Sequence, residues 1–391
     1  MRTSPTDRWH RWLGRETSST LFIPEIDGLR FVAIASVILY HLCGFYLVKT
    51  GRPPDALARV LEYGNFGVPL FFAISGFVIA LPFARARLAG TPAPSLRAYY
   101  LRRLTRLEPP YVLNLLLLTA ALVASKGLSL GLLLPHLGAS LIYSHTQAYG
   151  AFSVVNGVAW SLEVEWQFYV LAPAMVSVFR IRDPRWRRLL LLAVLLGWSA
   201  AAEAGPVDSP RFTLSLLFYA PYFLAGLLLA DLYVSAWATA PRPSAAWDLA
   251  ATGCWLALVP LLAGPRSLQA LLPLVVLGAY VGAFRGVLWP RVLTRPAVYL
   301  VGGMCYTIYL YHFFFISLLG NRVLGLCSPS WPVWANVLVL SLTVAPLTIA
   351  ACALLFVLTE KPFMRRRWPA QLARSLQGRL AASASPAESR P

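Results

Sequence analysis

The chain has 391 residues, 58% hydrophobic and only 13% charged, against roughly 25% charged in soluble domains, which excludes an ordinary soluble enzyme. Its formal charge of +18 would suit a nucleic-acid partner only if the basic residues formed a patch, and they are instead spread over the loops between apolar runs. The five cysteines have no metal-like spacing and read as small apolar residues.

Apolar runs of spanning length recur from end to end, which predicts an all-α polytopic membrane protein with about ten transmembrane helices. The runs are 28–48, 66–83, 109–125, 157–179, 189–203, 213–233, 248–263, 268–284, 297–319 and 333–358. With the N-terminus inside, 26 of the 34 Lys/Arg fall on the inner side and 7 on the outer side, Arg30 lying within the first span. That bias puts both termini in the cytoplasm, and the basic excess meets anionic headgroups of membrane lipids rather than nucleic acid. One domain is expected: an arm over 1–23, a membrane domain over 24–364, and a tail over 365–391 that begins as a basic surface helix and ends disordered. The first 22 residues are charged and polar, so no cleavable signal peptide is expected.

The first span carries Arg30 and, eleven residues on, His41. Eleven steps of ~100° return both side chains to one helix face, ~16 Å apart along the axis. An arginine at the membrane edge and a histidine near its middle are costly in lipid, so a functional site is the default reading; a snorkelling arginine and a packed histidine are the alternative. The second span offers Ser75 next to Gly76, small residues that suit close helix approach.

The inner region before the third span reads SLRAYYLRRLTRLEPPY. Arg103 and Arg106 share a helix face and Arg102 is offset by one residue. Forked guanidinium donors suit a ligand with several phosphates, such as a nucleotide or coenzyme A; lipid anchoring would use the same residues. On the outer side, the apolar stretch Leu128–Tyr143 is expected to form a re-entrant or interfacial helix.

The fourth span opens NGVAWSLEVEWQF, setting Glu163 and Glu165 among aromatics that include Trp160. Residues i and i+2 point apart on a helix, so the two carboxylates are expected to do different jobs. If Glu165 faces His41 it would orient the imidazole and favour its protonated form. In the ninth span, Tyr306, Tyr309 and His312 form a polar stripe that lines a cavity or packs on a polar partner. No spacing suggests a metal site, and neither a G-x-S-x-G elbow nor a P-loop is present.

In this order the motifs resemble those of membrane-bound acyltransferase family 3. They are Ile26-Asp27-Gly28-Leu29-Arg30 with His41; Phe71-Phe72 with Ser75-Gly76-Phe77; Arg103-x-x-Arg106 before Pro109-Pro110-Tyr111; Trp160-Ser161-Leu162 with Glu165; Gly303 with Tyr306, Tyr309, Leu310 and His312; and Glu360-Lys361-Pro362-Phe363. The chain departs from the family pattern at Pro69, Glu108 and Cys305. The resemblance covers about residues 24–364. It implies transfer of an acyl group, usually acetyl, from acyl-coenzyme A to a hydroxyl of a carbohydrate or other envelope molecule, in the bacterial inner membrane. It implies further that His41 is the essential histidine, Arg30 its partner, Glu165 the acidic residue, and Arg103 and Arg106, with Arg102 beside them, the donor-binding residues. Asp27, Ser75, Trp160, Tyr306, Tyr309 and His312 are then candidates to line the cavity. No bound cofactor is expected, acyl-coenzyme A being a co-substrate. Direct transfer and an acyl-enzyme both fit the residues. So does a different class of protein, a carrier of lipid-linked sugars or small anions using a His/Arg/Glu relay.

Overall fold

The computed structural model describes residues 9, 10, 12–16, 22–237, 243–364 and 368. The predicted basic helix and disordered end of the tail, and much of the N-terminal arm, lie outside these residues. Among the described residues there is no β-strand. The helices used below are α1 (Pro24–Thr50), α2 (Ala56–Glu62), α3 (Gly67–Leu88), α4 (Leu96–Lys126), α5 (Leu130–Leu141), α6 (His145–Tyr149) and α7 (Trp160–Met175), then α8 (Pro184–Glu203), α9 (Leu216–Asp231), α10 (Ala245–Ala263), α11 (Leu272–Arg285), α12 (Pro296–Gly303), α13 (Cys305–Val323) and α14 (Val333–Leu355).

Every predicted span is met by helix, but fewer than ten helices have the length and apolarity to cross a bilayer. Among the described residues seven do, and α12 with α13 would make an eighth if the two form one broken span. The shortfall lies at α7 and α8. Helix α7 has 16 residues, and the first turns of α8 carry Arg185, Arg187 and Arg188. Arg187 and Arg188 both donate to the buried Asp231 of α9, at 2.5 and 2.6 Å. The stretch predicted as interfacial becomes α5.

Local chemistry sets the ends of the two helices that bear the arginines. Helix α1 begins at Pro24, whose missing N–H costs nothing in a first turn, and ends where Gly51 adopts φ 68° and donates to the Leu47 carbonyl. Helix α4 begins earlier than the apolar run suggests, because Ser95 Oγ caps it by accepting from the Ala98 N–H. Its 31 residues extend ~46 Å, against a hydrocarbon core of ~30 Å. The arginine-bearing turns therefore project beyond the apolar part.

Small residues bring the helices together. Helix α1 packs against α3, α12, α13 and α14. Helices α3 and α9 cross so closely that a Cβ on Gly76 would overlap the Phe223 backbone, and one on Gly226 would overlap the backbone of Ala73, Gly76 and Phe77. In lipid, such close approach supplies the packing that hydrophobic burial cannot.

We expect Gly226→Ala to destabilise the protein by about 1–3 kcal/mol, because the opposing atoms are backbone and cannot turn aside. Gly44→Ala, where a Cβ meets nothing within 4 Å, should leave stability unchanged. Thermal denaturation of the two variants in one detergent checks the contrast.

Candidate functional site

The helix predicted over 297–319 is broken. Helices α12 and α13 bend by 78° about Met304. A break inside a membrane bundle frees backbone groups that must find partners, and it is tolerated where it is buried in protein or lines a cavity. Both conditions hold. Buried Glu360 accepts from the Thr307 N–H at 3.2 Å and from Thr307 Oγ1 at 2.5 Å, placing a carboxylate at the positive end of α13. Asn114 and Asn156 each donate to the Leu310 carbonyl at 3.2 Å and are joined to each other at 2.8 Å.

Gly303, Cys305 and Tyr306 at the break form one wall of a cavity of about 120 Å³ among α1, α3, α4, α7, α12 and α13. Arg15, Arg30, Arg103 and Arg106 line it, as do Glu165 and Glu360. Arg30 is ion-paired with buried Asp27, which also meets Arg15 Nη2 at 3.4 Å. The Arg103 guanidinium lies over the Tyr169 ring, 5.3 Å from its centroid, and over Tyr99 at 5.9 Å. Among the described residues Arg15 Nε and Arg106 Nε are buried without a hydrogen-bond partner. Four guanidinium groups stand around this space with three carboxylates, Glu165, Glu360 and the Asp27 behind Arg30, an excess of positive charge that favours an anion.

Glu165 reaches the cavity from α7 and accepts from Ser75 Oγ at 2.5 Å. Glu163, two residues earlier, points the other way and accepts from the Thr146 N–H of α6 at 2.9 Å. Tyr306 donates to the Leu107 carbonyl at 2.9 Å. Tyr309 accepts from Ser161 at 2.7 Å and donates to the Val158 carbonyl at 2.9 Å. Arg30, Ser75, Arg103, Arg106, Glu165, Tyr306 and Tyr309 are thus gathered in one cavity, with Asp27 directly behind Arg30.

Four candidates lie elsewhere. Arg102 is exposed, the result of its one-residue offset from Arg103. Trp160 packs among Phe72, Phe152 and Tyr219 outside the cavity wall. His41 does not face Glu165: among the described residues no hydrogen bond or ion pair joins them, and each has other company. The His41 ring lies 5.0 Å from that of His312, 4.9 Å from Tyr40 and 5.2 Å from Phe313. The physical reason is that α7 delivers Glu165 to Ser75 on α3, while His41 on α1 meets α13 farther along the bundle.

His312 Nδ1 lies 2.8 Å from the Tyr309 carbonyl and 3.1 Å from that of Ile308. Carbonyls only accept, so this nitrogen carries the proton and Nε2 keeps a lone pair. That Nε2 is buried and has no hydrogen-bond partner among the described residues. The two histidines form a pair beyond the cavity, connected to it by Tyr309, which lines the cavity and sits 5.7 Å, ring to ring, from His312.

The sequence reading did not include Arg15, Glu360 or Asn114 among the site residues. Asn114 could have been found, since an amide in the run VLNLLLL is costly without a partner. Arg15 could not, because only the fold returns the N-terminal segment to the cavity.

A family model described as an acyltransferase domain matches residues 23–356. Nodulation protein 10 of Rhizobium leguminosarum bv. viciae is 26% identical over 378 residues, covering 88% of this chain and 94% of that protein. The peptidoglycan O-acetyltransferase OatA of Listeria monocytogenes serovar 1/2a is 26% identical over 360 residues, covering 83% of this chain and 54% of the Listeria protein; the chain therefore aligns with about half of that relative. No solved structure matches.

Glu360→Ala should destabilise the protein by about 1–3 kcal/mol, since it leaves the Thr307 N–H and hydroxyl unpaired at a buried break. Thr307→Val in the same background should recover part of the loss by removing one orphaned group. Thermal melts of the single and double variants measure both effects.

Proposed function

The chain belongs to acyltransferase family 3, and from that premise we propose that it moves an acyl group, acetyl in the simplest case, from acyl-coenzyme A to a hydroxyl of a carbohydrate of the cell envelope. It is a multi-pass membrane enzyme that transfers acyl groups other than aminoacyl groups, and the carrier reading gives way. The donor, the acceptor and the location in a bacterial inner membrane are our reading.

One observation carries the assignment of the donor: an arginine-lined cavity with unpaired guanidinium nitrogens at the end of the bundle where the basic turns of α4 project. We take that end as cytoplasmic, in keeping with the charge bias of the loops. Arg103 and Arg106, with Arg30, would hold the donor's phosphates by charge-assisted bonds. The acyl-pantetheine arm would run along α1 past Tyr309 towards His41, ~16 Å from Arg30 on the same helix. Glu165, tied to Ser75 and close to Tyr169 under Arg103, would position the donor-binding wall. Arg102, being exposed, would meet headgroups instead.

At the far end His41 would take the proton of the acceptor hydroxyl, whose oxygen attacks the thioester carbonyl. The C–O bond forms, the C–S bond breaks, and the coenzyme A thiolate takes up the proton. His312 would serve His41 as Glu165 was expected to. Its lone pair on Nε2 can accept from an N–H of His41, fixing the tautomer and the orientation of the ring. Family membership supports the essential role of His41, and the unpartnered Nε2 of His312 supports the pairing.

His41→Ala should lower transfer by about 100-fold or more while leaving expression and coenzyme A binding intact. His312→Phe should lower the turnover rate with little change in the Michaelis constant for the donor. Arg103→Ala with Arg106→Ala should do the reverse, raising that constant by at least about tenfold. Steady-state kinetics with radiolabelled acetyl-coenzyme A separates the three. Near-normal transfer by His41→Ala would overturn the mechanism.

A further inference from the structure

The N-terminal segment, which the family motifs do not include, brings a cation to the cavity. Arg15 precedes the first membrane helix by nine positions and yet lines the same space as Arg30, Arg103 and Arg106. It is held there from two sides. Its Nη2 meets Asp27 at 3.4 Å, and the segment's backbone is tied down where Lys361 Nζ donates to the Trp12 carbonyl at 2.9 Å. Gly303 is its neighbour: a Cβ at Gly303 would meet the Arg15 Cβ in ordinary contact at 3.7 Å.

The arrangement sets four guanidinium groups, Arg15, Arg30, Arg103 and Arg106, against three carboxylates, Glu165, Glu360 and the Asp27 that Arg15 and Arg30 share, so one cation is left over. Among the described residues Arg15 Nε is buried and makes no hydrogen bond, and the same holds for Arg106 Nε. Burial and the neighbouring Arg30 pull the Arg15 guanidinium down to about 9, and Asp27 offsets only part of that. An anion in the cavity that Arg15 and Arg106 both line would pair with their guanidinium groups and relieve the repulsion between them.

We infer that Arg15 is a fourth phosphate-binding residue, which reaches over the mouth of the cavity from the N-terminal segment to grip the nucleotide-phosphate part of the donor. The inference rests on the donor reading above, and it adds a contact from outside the membrane helices. Arg15 would touch phosphate and not the reacting atoms, so it governs donor affinity rather than the rate of the chemical step.

The test is calorimetry on full-length protein in nanodiscs, with coenzyme A and inorganic pyrophosphate as separate probes, on wild type, Arg15→Gln and Arg15→Lys. Size exclusion and melting first establish that the variants are folded. Arg15→Gln should weaken coenzyme A binding about ten- to a hundredfold, Arg15→Lys should restore part of it, and in kinetics the donor Michaelis constant should rise with turnover unchanged. A purely structural role for Arg15 would not give rescue by charge together with that kinetic split. If wild type binds coenzyme A and Arg15→Gln binds it equally well, the inference is overturned and the donor reading stands. If wild type ignores coenzyme A but binds pyrophosphate in an Arg15-dependent way, the anion site stands and the donor reading falls. If wild type binds neither probe, both fall.

Discussion

The break between α12 and α13 is the constraint on which the site depends. A helix interrupted inside a membrane bundle must satisfy its freed backbone groups with protein partners, and Glu360 does this from the segment just after α14 by accepting from both donors of Thr307. Because the partner is a carboxylate, the repair also brings an acidic side chain to the cavity that the arginines line. The 78° turn opens the space that Tyr306 and Cys305 line, and it lets α13 continue along α1 so that His312 meets His41. One break in one helix thus opens the arginine-lined cavity and sets the histidine pair next to it.

In the proposed mechanism the two chemistries are kept apart along the axis of α1. Arg30 lies at the charged end, paired with Asp27, and His41 lies farther along the same helix face. Separation of this kind suits a reaction in which a bulky polyanion stays on one side and only its acyl arm enters the bundle. The low-dielectric middle would strengthen the interaction between His41 and His312 relative to water. Tyr309 is the joint between the halves: its hydroxyl is fixed by Ser161 and Val158, its ring borders the cavity, and its carbonyl fixes the tautomer of His312.

Much of this was legible in the sequence where a cost could be named. Charged residues in apolar runs marked Arg30, His41 and Glu165, and helical periodicity separated Glu163 from Glu165 and Arg102 from Arg103, as the structure finds them. Periodicity within one helix cannot say which face of another helix lies opposite. For that reason the expected pairing of Glu165 with His41 gave way to Ser75 for one and His312 for the other. The ten-span count exceeded the helices able to cross unaided because α7 is short and the first turns of α8 hold arginines that Asp231 neutralises. The return of Arg15 to the cavity depends on contacts between residues hundreds of positions apart, Trp12 with Lys361 among them, and no local pattern encodes such a contact.

The central claim is that donor phosphates and acyl chemistry occupy opposite ends of one path. Electron microscopy of the protein in nanodiscs, with a thioether analogue of acetyl-coenzyme A that cannot transfer its acyl group, tests it most directly. The account predicts phosphate density within hydrogen-bonding distance of Arg103 and Arg106 and the acetyl-bearing end beyond Tyr309, beside His41. Phosphate density at the histidine end, or an acyl group that stops among the arginines, would contradict it.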